Sequence, residues 1–186
     1  QFNSVIKPLI ILSTVLFSTI GVFGGLATFS MDFVVIMTGI GIVSLAGVVV
    51  NNGIVLIDYI SLLKLNRKIE LGIDPSGDLP EKDSIELVVQ AGKTRLRPVL
   101  LTAITTVLGL VPLAIGLNID FIGFFENFKP DIYFGGDNAL FWGPMSWTVI
   151  FGLSFATFLT LVVVPAMYHL LYLARYRFKK RFIKAK

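Results

Sequence analysis

FVVIMTGIGIVSLAGVVVNNGIVLI, residues Phe33–Ile57, contains no charged side chain, yet carries two adjacent asparagines, Asn51 and Asn52. At about 1.5 Å of rise per residue, a helix of this length exceeds the roughly 30 Å of hydrocarbon in a bilayer. The stretch therefore predicts a membrane-spanning helix with two amides at membrane depth. An unsatisfied polar group there costs several kcal/mol, so the asparagines must meet other helices, water or a transported species rather than lipid.

Three further stretches lack Asp, Glu, Lys and Arg: Pro8–Met31, Pro98–Ile119 and Asn138–Ala174. Each is long enough to cross a bilayer, which predicts an all-α polytopic membrane protein with spans over about 8–28, 33–60, 98–117 and 144–172. Gly143-Pro144 reads as a helix start, Trp142 and Trp147 suit an aromatic belt, and Pro112 and Pro165 are ordinary kink sites. The chain is 55% hydrophobic and 15% charged, with a mean hydropathy of +0.82, more apolar surface than a soluble core of 186 residues can hide. The first apolar run has no Ala-x-Ala-like cleavage site and no initiator Met before it, so it reads as a span within a fragment rather than a signal peptide.

Cysteine is absent and histidine occurs once. That removes thiolate nucleophiles, zinc-thiolate sites and His-based metal cages, and no close carboxylate pair lies inside a span. An enzyme is not expected, nor a cofactor, a metal or a nucleic-acid partner. His169, near the end of the fourth span, reads as interfacial.

The turn around Phe29 to Asp32 is too short for anything but an antiparallel hairpin. Orientation then follows from the basic residues. Lys7, seven residues between Lys64 and Arg97, and seven between Arg175 and Lys186 fall on one side, 15 of 16 in all, leaving Lys129 on the other. The positive-inside rule assigns both termini and the loop 61–97 to the cytoplasm and the loop 118–143 to the periplasm. Within the cytoplasmic loop, residues 72–80 are turn-rich. Asp83-Ser-Ile-Glu86 has the form of a capping box, which predicts a short amphipathic helix through Val88 and Val89 that lies along the membrane surface and feeds the third span. The outer loop mixes Phe121, Phe124, Phe125, Phe128, Tyr133 and Phe134 with Asp120, Glu126, Asp131 and Asp137, a composition that suits interfacial anchoring first and capping of the bundle or cation binding as alternatives.

At about 100° per residue, Ser44, Gly47, Asn51 and Asp58 fall within roughly 60° of one another on the second helix, with Asn52 about 100° away. Thr102, Thr105, Thr106, Gly109 and Gly116 share an arc of about 100° on the third helix, and Gly21, Gly24 and Thr28 form a similar stripe on the first. Small and hydroxylic stripes are what close packing in lipid requires, so Ser44, Gly47, Thr105, Thr106 and Gly109 read as packing positions. The asparagine pair adds donors and acceptors able to relay a proton or to sit beside an ionised carboxylate. Asp58, near the cytoplasmic end, is either a solvated helix-end carboxylate or part of that relay.

Gly47-Val-Val-Val-Asn-Asn-Gly-Ile-Val-Leu-Ile-Asp58 and Arg95-Leu-Arg-Pro-Val-Leu-Leu-Thr-Ala-Ile-Thr-Thr-Val-Leu-Gly-Leu-Val-Pro112, in that order, resemble the C-terminal part of a resistance-nodulation-division (RND) efflux permease. The resemblance covers the last four of twelve transmembrane helices and the basic tail. It implies a proton-driven antiporter exporting drugs or other small amphiphilic compounds. It further implies a homotrimer in a bacterial inner membrane, working with a periplasmic adaptor and an outer-membrane channel. In that family an aspartate pair on the fourth helix titrates, and its partners by position here are Asn51 and Asn52 with Arg95 and Thr102. Asn51 stands where the multidrug branch usually has a lysine, and a neutral amide cannot make that lysine's salt bridge. The alternative is an accessory or scaffolding four-helix membrane subunit without transport of its own.

Overall fold

The structure, a computed structural model, describes residues 6–74, 77, 79–120 and 131–184. Four helices are long and apolar enough to cross a membrane. They are α1 (Ile6–Thr28), α2 (Val35–Glu70), α3 (Glu81–Ala114) and α4 (Asp137–Lys184). Between α3 and α4 the chain forms an antiparallel ribbon of β1 (Leu117–Asp120) and β2 (Asp131–Phe134), with Leu117 opposite Phe134 and Asn118 opposite Tyr133. The Asn118 amide ties this ribbon to its own base by donating to the carbonyls of Gly116 and Gly135. Residues 121–130, which hold Phe121, Phe124, Phe125, Glu126 and Phe128 of the aromatic-acidic loop, lie outside the described residues.

Two compact units make up the chain, and every helix contributes residues to both. The first comprises residues 1–17, 49–100 and 156–186. Its core joins Ile10 and Ile11 of α1 to Leu56, Ile57 and Ile60 of α2, to Val88 and Ala91 of α3, and to Val164 of α4. The second comprises residues 18–48 and 101–155. It is built on close approach rather than bulk: a methyl group added at Gly21 would overlap Phe155, one at Gly25 would overlap Phe151, and one at Gly152 would overlap Leu45 and Val22. Helices in lipid gain little from hiding apolar surface, so dispersion contacts at small residues hold them together. The indole N–H of Trp147 donates to the carbonyl of Ala114 at 3.0 Å, binding α4 to the end of α3, and the Trp147 ring stacks on Phe151. Trp147 is thus engaged inside its unit, whereas Trp142 is exposed as a belt residue would be.

The helices overrun the apolar stretches that announce them. α2 continues past Ile57 to Glu70, ending with Arg67 and Lys68 in its last turn, where positive charge complements the helix dipole. α3 begins at Glu81, ahead of the expected capping box, and runs without a break through Pro98 into the third charge-free stretch. This corrects the expectation of a short surface helix opened by Asp83 and feeding the third span, since helix and span are one continuous element. The Pro80 carbonyl accepts from the amide of Ser84, so Asp83 lies inside the first turn, and its carboxylate accepts from Arg67 Nε at 3.4 Å instead of capping. α4 likewise starts ahead of Gly143-Pro144, on the carbonyl of Gly136, with Asp137 favourably placed at the positive end of its dipole.

Both helix ends leading out of the first hairpin and of α2 are Schellman turns. After α1, Met31 N–H donates to Leu26 and Ser30 N–H to Ala27; after α2, Ile73 donates to Lys68 and Gly72 to Ile69. The left-handed residue is Gly72 (φ 64°) in the second and Ser30 (φ 51°) in the first.

Candidate functional site

On α2 the buried side chains include Met37, Thr38, Leu45, Val49, Leu56, Ile57, Ile60 and Lys64, most of them on the side of the helix away from its polar stripe. Ser44 and Gly47 in one unit, and Asn51 and Asp58 in the other, are all exposed, while Asn52 is half-buried. The polar stripe read from the sequence is therefore the uncovered face of the helix. No atom lies within 4 Å of a methyl group built at Gly47 or at Gly109. Among the described residues no other helix approaches these two glycines, whereas the close helix contacts there use Gly21, Gly25, Gly41 and Gly152.

The threonines of α3 present a similar face. Thr102 and Thr105 are exposed and Thr106 is half-buried. Thr105 donates its hydroxyl proton to the carbonyls of Leu101 (2.8 Å) and Thr102 (3.0 Å), and Thr106 donates to Thr102 at 2.8 Å. With those protons turned back on the helix, the hydroxyl oxygens present acceptor lone pairs outward.

Arg95 is half-buried, and its guanidinium carbon lies 4.5 Å from the centroid of the Tyr59 ring. Its Nε is buried without a hydrogen-bond partner in the described chain. Tyr59 follows Asp58 directly, so the stacking brings α3 against α2 next to an exposed carboxylate that forms no ion pair among the described residues. Sequence reasoning singled out Arg95 but missed Tyr59, because the pairing depends on the register between two helices and no local pattern encodes it. His169 is half-buried and its Nδ1 has no hydrogen-bond partner among the described residues.

Beyond the apolar part of α2, Arg67 bridges Glu70 at 3.0 Å and Asp83 at 3.4 Å, the Glu70 hydrogen bond first and then Asp83 raising its pKa above the ordinary value. These residues, with Asn66, Glu86 and Gln90, line a groove of about 330 Å³ between the end of α2 and the start of α3. The described residues contain no group of three or more His, Asp or Glu placed to hold a metal ion.

The model of the AcrB/AcrD/AcrF family matches residues 1–119, which include the whole polar face of α2 and the threonine face of α3. The chain belongs to that family. Over 179 residues it is 36% identical to the swarming motility protein SwrC of Bacillus subtilis, covering 96% of this chain and 14% of that protein. It is 30% identical over 172 residues to the cobalt-zinc-cadmium resistance protein CzcA of Cupriavidus metallidurans, covering 91% and 13%. It is 29% identical over 180 residues to the multidrug resistance protein MdtC of Yersinia enterocolitica, covering 97% and 14%. No solved structure matches it. As an AcrB/AcrD/AcrF member with four helices long and apolar enough to cross a membrane, the chain is a multi-pass membrane segment of an RND-family protein. It spans about one seventh of the length of these relatives, so the exposed faces of α2 and α3 belong to a chain shorter than the proteins it resembles.

Proposed function

We propose that this chain forms the last four transmembrane helices of a proton-driven RND exporter of drugs or other small amphiphilic compounds. In this reading Asn51, Thr102 and Arg95 face the titrating aspartates carried by helices outside the chain. The observation that carries it is the outward polar face of α2: Asn51 and Asp58 are exposed on a helix whose opposite side is packed with Leu56, Ile57 and Ile60. Lipid is a poor neighbour for an amide at that depth, and a carboxylate-bearing helix is a good one. Protonating a carboxylate beside Asn51 changes which hydrogen bonds the amide can make, and so which helix packing is favoured. Asn51 itself keeps no charge, so it acts as a hydrogen-bonding wall and not as a salt-bridge partner; Arg95 supplies the cation. The assembly proposed with it is a homotrimer in the inner membrane, with both chain ends cytoplasmic, engaging a periplasmic adaptor and an outer-membrane channel.

The test is export by the intact protein carrying Asn51→Ala or Thr102→Ala. Both are expected to lower export while leaving expression and membrane insertion unchanged. Full export by Asn51→Ala removes Asn51 from the coupling and returns it to helix packing.

A further inference from the structure

Three lysines meet within the first unit, at the membrane boundary. Lys7 immediately precedes Pro8, where the first charge-free stretch begins, and Lys64 and Lys68 follow Ile57, where the second ends. Because α1 and α2 form a hairpin, these positions lie at the same end of it, where its charge-free stretches stop. Lys7 Nζ donates to the Ser61 hydroxyl at 2.8 Å, and the Ser61 hydroxyl in turn donates to the Ile57 carbonyl at 2.8 Å. Lys64 Nζ sits 4.6 Å from the centre of the Tyr168 ring, which brings α4 to the same place. Lys64 is 8% exposed, while Lys7 and Lys68 are half-buried and reachable.

Such a cluster is electrostatically costly. Burial first, then repulsion from Lys68 and Lys7, lowers the pKa of Lys64 to about 8. Each effect disfavours the ammonium, and a neighbouring anion reverses both by restoring solvation-like hydrogen bonds and by cancelling the repulsion. A phosphate group suits this place because its oxygens accept from several ammonium donors at once, and basic pockets between transmembrane helices are recognised headgroup sites.

We propose that Lys7, Lys64 and Lys68, with Tyr168 as the wall and Ser61 holding Lys7 in position, bind the phosphate of an anionic ligand, from a phospholipid headgroup or free in solution. The site joins α1, α2 and α4, so an occupied site ties three helices together at their charged ends. The assignment does not depend on which substrate the protein moves or on which face of the membrane is cytoplasmic.

The test uses the intact protein in a neutral detergent, titrated by native mass spectrometry with phosphatidylglycerol, phosphatidylcholine or inorganic phosphate. Phosphatidylglycerol retained in preference to phosphatidylcholine and resisting millimolar phosphate assigns the lipid headgroup. Phosphate binding that displaces the lipid assigns the free anion. In either case Lys7→Gln and Lys68→Gln, both at partly exposed positions, each weaken binding about fivefold. Lys93→Gln, an exposed lysine of α3 outside the cluster, leaves it unchanged. Helicity by circular dichroism confirms that each variant is folded. Equal retention of the two lipids with no phosphate binding, or wild-type binding by both cluster variants, overturns the proposal.

Discussion

The guanidinium of Arg95 lies over the ring of Tyr59, 4.5 Å from its centroid, so a cation of α3 is held against α2 by a π face and not by a carboxylate. An ion pair there would fix the charge to one partner. The ring leaves the guanidinium donors directed elsewhere and the carboxylate of Asp58, one residue away, exposed. Tyr59→Leu, which keeps an apolar side chain and removes the π face, is expected to lower stability by about 0.5–2 kcal/mol. Thermal unfolding of the protein in detergent measures it, and Tyr59→Phe should restore most of the loss because the ring remains.

Gly152 and Gly47 give opposite expectations for the same chemical change. Gly152→Ala forces a methyl group into Leu45 and Val22 and is expected to cost about 1–3 kcal/mol, the usual penalty of overpacking. Gly47→Ala meets nothing within 4 Å among the described residues, so the packing of the helices there is expected to be unaffected. A drop in assembly or export with Gly47→Ala, at unchanged helicity, is the expected signature of a helix from outside the chain packing on that face. Cross-linking yield and circular dichroism separate the two effects.

Trp147→Phe keeps the stacking on Phe151 but deletes the donor to the Ala114 carbonyl. The expected loss is about 1 kcal/mol, the net worth of one such hydrogen bond, and unfolding in detergent reports it.

Ser30 holds a left-handed conformation that costs an L-residue about 1–2 kcal/mol, at the position of a Schellman turn where Gly72 serves α2. Ser30→Gly is expected to raise stability by up to about 1 kcal/mol, since glycine's greater freedom in the unfolded chain offsets part of the relief. Gly72→Ala should lower stability by a similar amount. Both are read as shifts in unfolding midpoint.

Orientation is checked with single cysteines at Asn66 and Asn138, at the two ends of the helices. An impermeant thiol reagent applied from the periplasm is expected to label position 138 and spare 66. The reverse pattern would invert the topology.

The four helices and the outward polar face of α2 were legible because each is a property of one strand of sequence: absence of charge over a bilayer's thickness, and angular spacing about a helix axis. Helix ends were less legible. The apolar run of α2 stops at Ile57 while its helix continues to Glu70, since Lys64 finds a packed place against Tyr168 and Arg67 a partner in Asp83. Asp83 looked like a cap because the capping box is a local pattern, yet it is used by a residue sixteen positions earlier in the chain. The contacts of Gly25 and Gly152, and of Arg95 with Tyr59, require inter-helix register. The β1–β2 ribbon requires a strand register across the connection between α3 and α4, in a segment whose aromatic composition suggests an interface.

The unbroken length of α2 has a mechanical consequence. Within the first unit its residues 49–70 run as one helix about 33 Å long. A tilt of about 9° about Val49 displaces the Glu70 end by about 5 Å, close to one helical turn. The Arg67–Asp83 contact fastens that far end to the first turn of α3, itself continuous into the membrane. A packing change too small to notice beside Asn51 therefore reaches the water-exposed end of the hairpin enlarged, and any ligand or partner gripping that end gains leverage over the helices inside.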